Sequence, residues 1–308
     1  MKFFLKKYSF IPALIILFTF LISSSLVKEG TYAGLKLWLF TVFPTLFPFI
    51  LTTEIIKSTG GIEIISKIFH PIISKITGVS KDGAYPVVIG FLCGFPMGAK
   101  SVSDVLEKNK ISSVEATYLL TFCNMLSPGF LSGYYCTQVL GGYFNSLSVL
   151  IILYLAQIST GLLFRQTLFR KYNFLSHSSN NAHISDTSFS LDTLLKNSLT
   201  GLLKIAGYII IFSILCQYIN RFITNTYINI SLLSLSEITT GLNYLCIADV
   251  PIFHKVILGN IFIGFGGICG LFQTIEIIKK HKLPIRPYLF SRLVCAMFSL
   301  IYSLILTV

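Results

Sequence analysis

Gly90-Phe91-Leu92-Cys93-Gly94-Phe95-Pro96-Met97-Gly98-Ala99-Lys100 decides the fold, because the chain says something like it twice. Ile89-Gly90-Phe91 returns as Ile263-Gly264-Phe265, and Leu106-Glu107-Lys108-Asn109-Lys110 returns as Ile278-Lys279-Lys280-His281-Lys282. Cys123, Met125 and Ser127 return as Cys295, Met297 and Ser299. Glycine-interrupted apolar segments at matching places of two halves point to a transporter's binding site. Chance likeness between two apolar segments is the alternative.

Working outward, the chain of 308 residues is 54% hydrophobic and only 12% charged. Its mean hydropathy is +0.77. Soluble domains carry about 25% charged residues, so this is an all-α polytopic membrane protein whose first partner is the lipid bilayer. The net charge of +12 fits basic cytoplasmic loops. No nucleic-acid-binding module is visible, so nucleic acid is not read as a partner. The seven cysteines form no Cys-x-x-Cys pair, so no metal site is read and they count as small hydrophobes. The sequence has no Gly-x-Ser-x-Gly, Walker loop or His-Glu-x-x-His, and its five histidines are dispersed. No enzyme and no cofactor is expected.

Spans of about 20 apolar residues fall near 9–27, 35–57, 115–139, 145–168, 198–220 and 286–307. Lys2, Lys6 and Lys7 before the apolar run Phe10 to Ile22 resemble a signal peptide, but an uncleaved helix within 1–30 is the favoured reading. Segments 85–104 and 256–277 are long enough to cross. They carry Gly90, Gly94, Pro96 and Gly98 in one case, and Gly259, Gly264, Gly266, Gly267 and Gly270 in the other. Glycine and proline weaken a helix, so both read as broken or re-entrant, with a kinked ordinary span as the alternative. Segments 62–79 and 228–248 mix apolar and polar residues and read as interfacial helices or short hairpins. The resulting organisation is a repeat over 31–144, a linking helix and polar loop over 145–192, and a second repeat over 193–308. Both basic turns, at Lys108–Lys110 and Lys279–Lys282, attract the cytoplasm. That makes the repeats parallel, whereas an inverted pair would put one turn outside, so charge leaves the orientation open.

Candidate binding residues follow from polarity at membrane depth. Asn124 and Ser127, with Pro128 freeing a backbone carbonyl, offer donors and acceptors; helix–helix glue is the alternative. Lys100, just after Gly94, Pro96 and Gly98, suits an anion beside exposed backbone N–H groups, or else snorkels. Glu237 and Thr240 form a polar cluster, with Glu237 read as a cation- or substrate-binding group or as a helix-capping acid. Gln273 follows the second glycine-rich stretch. Lys204 and Arg292 are read as snorkelling, and Glu54 as interfacial.

Gly94-Phe95-Pro96-Met97-Gly98-Ala99-Lys100, with Asn124 to Pro128, resembles the YlbJ-type sporulation integral membrane proteins. Phe43-Pro44 to Phe49, Glu237 to Gly241 and Gly266-Gly267 to Gln273 agree with it. The likeness runs from about 31 to 308. That family belongs to the nucleoside recognition, or Gate, group and is similar in architecture to concentrative nucleoside transporters. The resemblance implies inverted repeats whose hairpins meet at a central site. It implies a multi-pass protein of a sporulating bacterium's membrane, with the outer forespore membrane as a candidate location. Its SpoVV-type members are implicated in passing dipicolinic acid, so the expectation is a secondary transporter of a small anionic solute such as dipicolinate. The alternatives are a non-transporting protein of spore cortex assembly and a nucleoside transporter. A coupling cation, H+ or Na+, and a homo-oligomer are both left open. Cys269 departs from the serine expected there.

Overall fold

The computed structural model describes residues 10–174 and 190–306. Lys2, Lys6 and Lys7 and the polar loop around Ser176–Ser185 lie outside the described residues. All described regular structure is helical. α1 (Ile11–Ile22) leads into α2 (Ser24–Ser58) and α3 (Gly61–Thr77). α4 (Ala84–Cys93) and α5 (Met97–Glu107) follow. α6 (Ser113–Leu120) and α7 (128–139, mostly π-helical) make one crossing interrupted at 121–127, and α8 (Ser146–Gln166) closes the first half. The second half has α9 (Leu191–Phe222), α10 (Thr226–Ser236) and α11 (Ile238–Ile247). It ends with α12 (Ile252–Phe265), α13 (Gly267–Lys280) and α14 (Ile285–Leu306). Among the described residues five helical stretches are long and apolar enough to cross a membrane, α12 and α13 together forming one of them.

The first difference from expectation is at the start. Two spans, 9–27 and 35–57, are expected around the polar stretch Lys28 to Gly34, yet α2 stays helical through it. Gly30 and Gly34, one turn apart, lie against α9. A Cβ on Gly34 would stand 2.9 Å from Ile210 Cα, and one on Gly30 2.6 Å from Ile214 Cα. Small residues spaced this way let helix backbones approach in a membrane, and this close packing holds the polar stretch in the bundle.

α4 and α5 form a re-entrant hairpin, as one reading of the glycines allowed. Gly94 turns the chain with φ +78°, a conformation that costs glycine little. Four residues to either side, Gly90 and Gly98 meet across the hairpin, a Cβ on Gly98 standing 3.1 Å from Gly90 Cα. α3 is the expected amphipathic helix. Ile64, Ile68, Ile72 and Ile76 face outward, while Ile62 and Ser66 are buried.

In the second half the hairpin is not where the repeated glycines place it. Segment 252–280 is a bent crossing, turning at Gly266 (φ +89°) and Gly267 (φ +68°). The hairpin is α10–α11, in the segment read as an interfacial helix or a short hairpin. Glu237 sits extended at its tip, Gly241 abuts the Ser234 backbone, and Asn229 Nδ2 donates to Tyr244 OH at 3.4 Å. The likeness between 89–127 and 263–299 therefore does not pair equivalent elements. It sets a hairpin beside a bent crossing, and an interrupted crossing beside the continuous α14.

Contacts fix which ends share a face. Lys280 donates to Glu107 at 2.6 Å, and Ser103 Oγ lies 2.6 Å from His281 Nε2. The mouth of the first hairpin and the end of α13 thus lie together. Tracing back through α12 puts the mouth of the second hairpin at the opposite face. The first face gathers Lys81, Lys108, Lys110, Arg165, Lys279, Lys280 and Lys282; the other has Lys28, Arg221 and Lys255 with Glu29 and Asp249. The positive-inside rule assigns the first face to the cytoplasm. Both basic turns are cytoplasmic while the hairpins still open oppositely, because the two turns are not counterparts.

Candidate functional site

The interrupted crossing at 121–127 frees four consecutive carbonyls at membrane depth, where an unpaired polar group is expensive. Three of them have a side-chain donor. Arg292 donates to the carbonyls of Thr121 (2.7 Å) and Asn124 (2.8 Å). Gln157 donates to Phe122 O at 2.6 Å. The Cys123 carbonyl is wedged between Gly90 and Gly98, where any Cβ would collide with it. Arg292 is only 2% exposed, so it does not snorkel. It is a structural cation whose partners are backbone oxygens and the face of Tyr288, 5.6 Å away. Ser127 caps the helix beyond the break by accepting from Phe130 N at 3.2 Å.

The tip of the second hairpin is built by its carboxylate. Glu237 Oε1 accepts from Thr239 N (3.1 Å), and Oε2 accepts from Thr240 N (2.6 Å) and Thr240 Oγ1 (2.7 Å). This is a helix cap at the positive end of a dipole, the bland alternative for Glu237. The residue is also only 2% exposed and lines the central cavity.

That cavity measures about 70 Å³. Pro96, Asn124, Ser127, Glu237 and Gln273, all expected as site residues, line it together with Thr239 and Cys269. Of the others, Gly94 packs on the Ser127 backbone and Gly98 on Cys123. Thr240 turns its hydroxyl to Glu237, with Ser213 Oγ 3.4 Å away, and is absent from the lining. The N-termini of α5, α7, α11 and α13 all begin at the hairpin tips and breaks, and those of α5 and α13 have no side-chain cap. Helix N-termini favour negative charge.

Lys100 is elsewhere. It lines a larger vestibule of about 420 Å³ on the cytoplasmic side, with Lys204, Lys280, Asp104, Glu107 and Glu276. Pro96, Ile205 and Gln273 line both spaces, so the vestibule adjoins the central cavity. Lys100 donates to Glu54, which is 5% exposed rather than interfacial. Lys57 joins the group, 2.9 Å from Asp104 and 3.8 Å from Glu54. Sequence reasoning missed the roles of Glu54 and Arg292. The available signal was the rarity of intramembrane charges, which makes each one a partner-seeking group by default.

With this geometry in hand, likeness to known proteins can be weighed. The Gate family, described as nucleoside recognition, matches residues 39–150. The sporulation integral membrane protein YlbJ of Bacillus subtilis (strain 168) is 26% identical over 318 aligned positions, covering 90% of this chain and 77% of the relative. The chain carries a Gate segment and is similar over most of its length to a YlbJ-type sporulation integral membrane protein. No solved structure matches it significantly. The Gate match takes in the first hairpin, the interrupted crossing and Asn124, while Glu237 and Gln273 lie beyond it. The chain therefore completes its central cavity with residues outside the Gate segment.

Proposed function

We propose that this multi-pass membrane protein serves sporulation as a secondary transporter of a small anionic solute, with dipicolinate as the leading candidate. The observation that carries this reading is the meeting of both hairpin tips and both helix breaks at one central cavity. Discontinuous helices at a midplane site are how secondary transporters hold solutes. The vestibule supplies Lys204 and Lys280 for an arriving anion. The uncapped N-terminus of α13, with Gly266 and Cys269 on the cavity wall, offers backbone N–H groups to a carboxylate.

A second reading is favoured by one feature. The oxygens of Glu237, Asn124 and Gln273 in the cavity suit a solute rich in hydroxyl and N–H donors, as a nucleoside is. Uptake of labelled dipicolinate into vesicles reconstituted with the protein tests both. Saturable flux that uridine and adenosine do not compete away supports the anion reading. Competition by either nucleoside transfers the proposal to that class. Absence of flux, with a stable partner protein on detergent purification, sinks transport in favour of an assembly role.

A further inference from the structure

We infer that Asn124, Gln273 and Glu237 hold a small monovalent cation in the central cavity, beside the anionic solute; this rests on the transport reading above. The two amides carry the argument. Asn124 is 2% exposed, and its Nδ2 donates to Thr274 Oγ1 at 2.8 Å and Tyr288 OH at 3.4 Å. Gln273 is 9% exposed, and its Nε2 donates to Cys269 Sγ at 3.5 Å. Asn124 thus uses both its donors and Gln273 one of its two on the protein, and Asn124 Oδ1 and Gln273 Oε1 are left buried without partners. A native structure rarely strands a buried acceptor without a reason. Here two are stranded on the wall of one cavity, which Glu237 also lines.

The chemistry narrows the occupant. Oxygen donors from amides and a carboxylate suit hard cations, whereas sites for calcium use several carboxylates. One carboxylate with two neutral carbonyls matches a single positive charge. No lysine, arginine or histidine among the described residues lines this cavity to compete for that role. The volume of about 70 Å³ admits an ion and a few waters, each water needing roughly 10–15 Å³ by this measure. The three groups come from the interrupted crossing, from α13 and from the tip of the second hairpin. A bound cation would tie both halves together and cancel the repulsion between Glu237 and an incoming carboxylate.

The test uses full-length protein in detergent without solute. Thermal unfolding in sodium chloride is compared with choline chloride at equal ionic strength, alongside equilibrium binding of radioactive sodium. We expect saturable binding of one ion per chain and a higher unfolding midpoint in sodium. Gln273→Met, which removes the oxygen, should weaken sodium binding about tenfold or more, while Gln273→Glu, which keeps one, should retain it. Glu237→Gln should weaken it similarly. Wild-type protein that binds neither sodium nor potassium, or a Gln273→Met variant that binds as wild type, overturns the site. Dipicolinate flux independent of both ions overturns the site but leaves transport standing. Ion binding without flux of any solute supports the site and defeats the transport reading.

Discussion

The two hairpins are held by different forces. The first, α4–α5, is pinned to α2 and α3 by charge: Lys100 to Glu54, Asp104 to Lys57, and Lys110 of the following turn to Glu63. The second, α10–α11, has no ion pair to its surroundings among the described residues. Asn229 donates to Asn220 at 2.9 Å, Thr240 stands 3.4 Å from Ser213, and Leu233, Leu242 and Leu245 pack in the core. Its carboxylate is instead at the tip, turned to the cavity. The first hairpin's charges are spent on anchorage at the cytoplasmic side, while the second spends its one acid at the centre. That difference makes the first a scaffold and the second the chemically committed element.

The most decisive way to break this comparison is topological. Cysteines at Asn109 and His281 should both be labelled from the cytoplasmic face, and cysteines at Gly142 and Ala248 only from the other, measured with a membrane-impermeant thiol reagent on a background lacking the seven native cysteines. Labelling of Ala248→Cys from the cytoplasmic side would mean the hairpins do not open oppositely.

Next comes uptake. Glu237→Gln keeps an acceptor for the cap but loses the charge, and should lower flux about 30- to 100-fold, the scale of losing a buried charged partner. Glu54→Gln combined with Lys100→Met removes an anchoring pair together and should stay within about threefold of wild type, since paired removal leaves neither charge stranded. Equal losses in the two proteins would erase the distinction between scaffold and site.

The breaks in the crossings can be compared in the same way. The interruption at 121–127 needs Arg292, whereas the bend at 266–267 is made by two glycines. Arg292→Met should destabilise the protein by the cost of two unpaired buried carbonyls, about 1–3 kcal/mol each, read as a lower thermal midpoint in detergent. Gly98→Ala, which drives a methyl into the Cys123 carbonyl, should cost about 1–3 kcal/mol through overpacking. A neutral result for either would show that the break is not held as described.

The smallest effect lies at the surface. The Lys110 hydrogen bond, first among its causes, holds the Glu63 carboxyl below the usual carboxylate range. A depressed carboxyl stabilises the fold above its unfolded-state pKa, and that contribution fades as pH falls through its folded-state value. Glu63 is half exposed, so Lys110→Ala should cost under about 1 kcal/mol. The cost should shrink in high salt and in acid, as followed by unfolding midpoints across pH. A large, salt-independent loss would mean that the turn anchors the hairpin more deeply than its exposure implies.

Several features were legible from residues alone. Low charge and long apolar runs require a helical membrane protein, since lipid satisfies no backbone polar group. Gly94 and Pro96 forecast a break, the mixed apolar and polar residues of 62–79 allowed an interfacial helix, and the polarity of Asn124, Ser127, Glu237 and Gln273 singled them out. Local composition states that a helix must break and that a polar group needs a partner, because both follow from one residue's own chemistry.

Only tertiary structure decided who the partners are. Arg292 reaches the Asn124 carbonyl from 168 positions away, and Lys100 reaches Glu54 across 46. No local pattern encodes such distances. Only folding chose α10–α11 as the second hairpin, because a glycine-rich segment can turn back or merely bend. Packing of Gly241 on Ser234, and of α12 along α14 through Gly264 on Ser299 and Asn260 on Ser303, makes that choice.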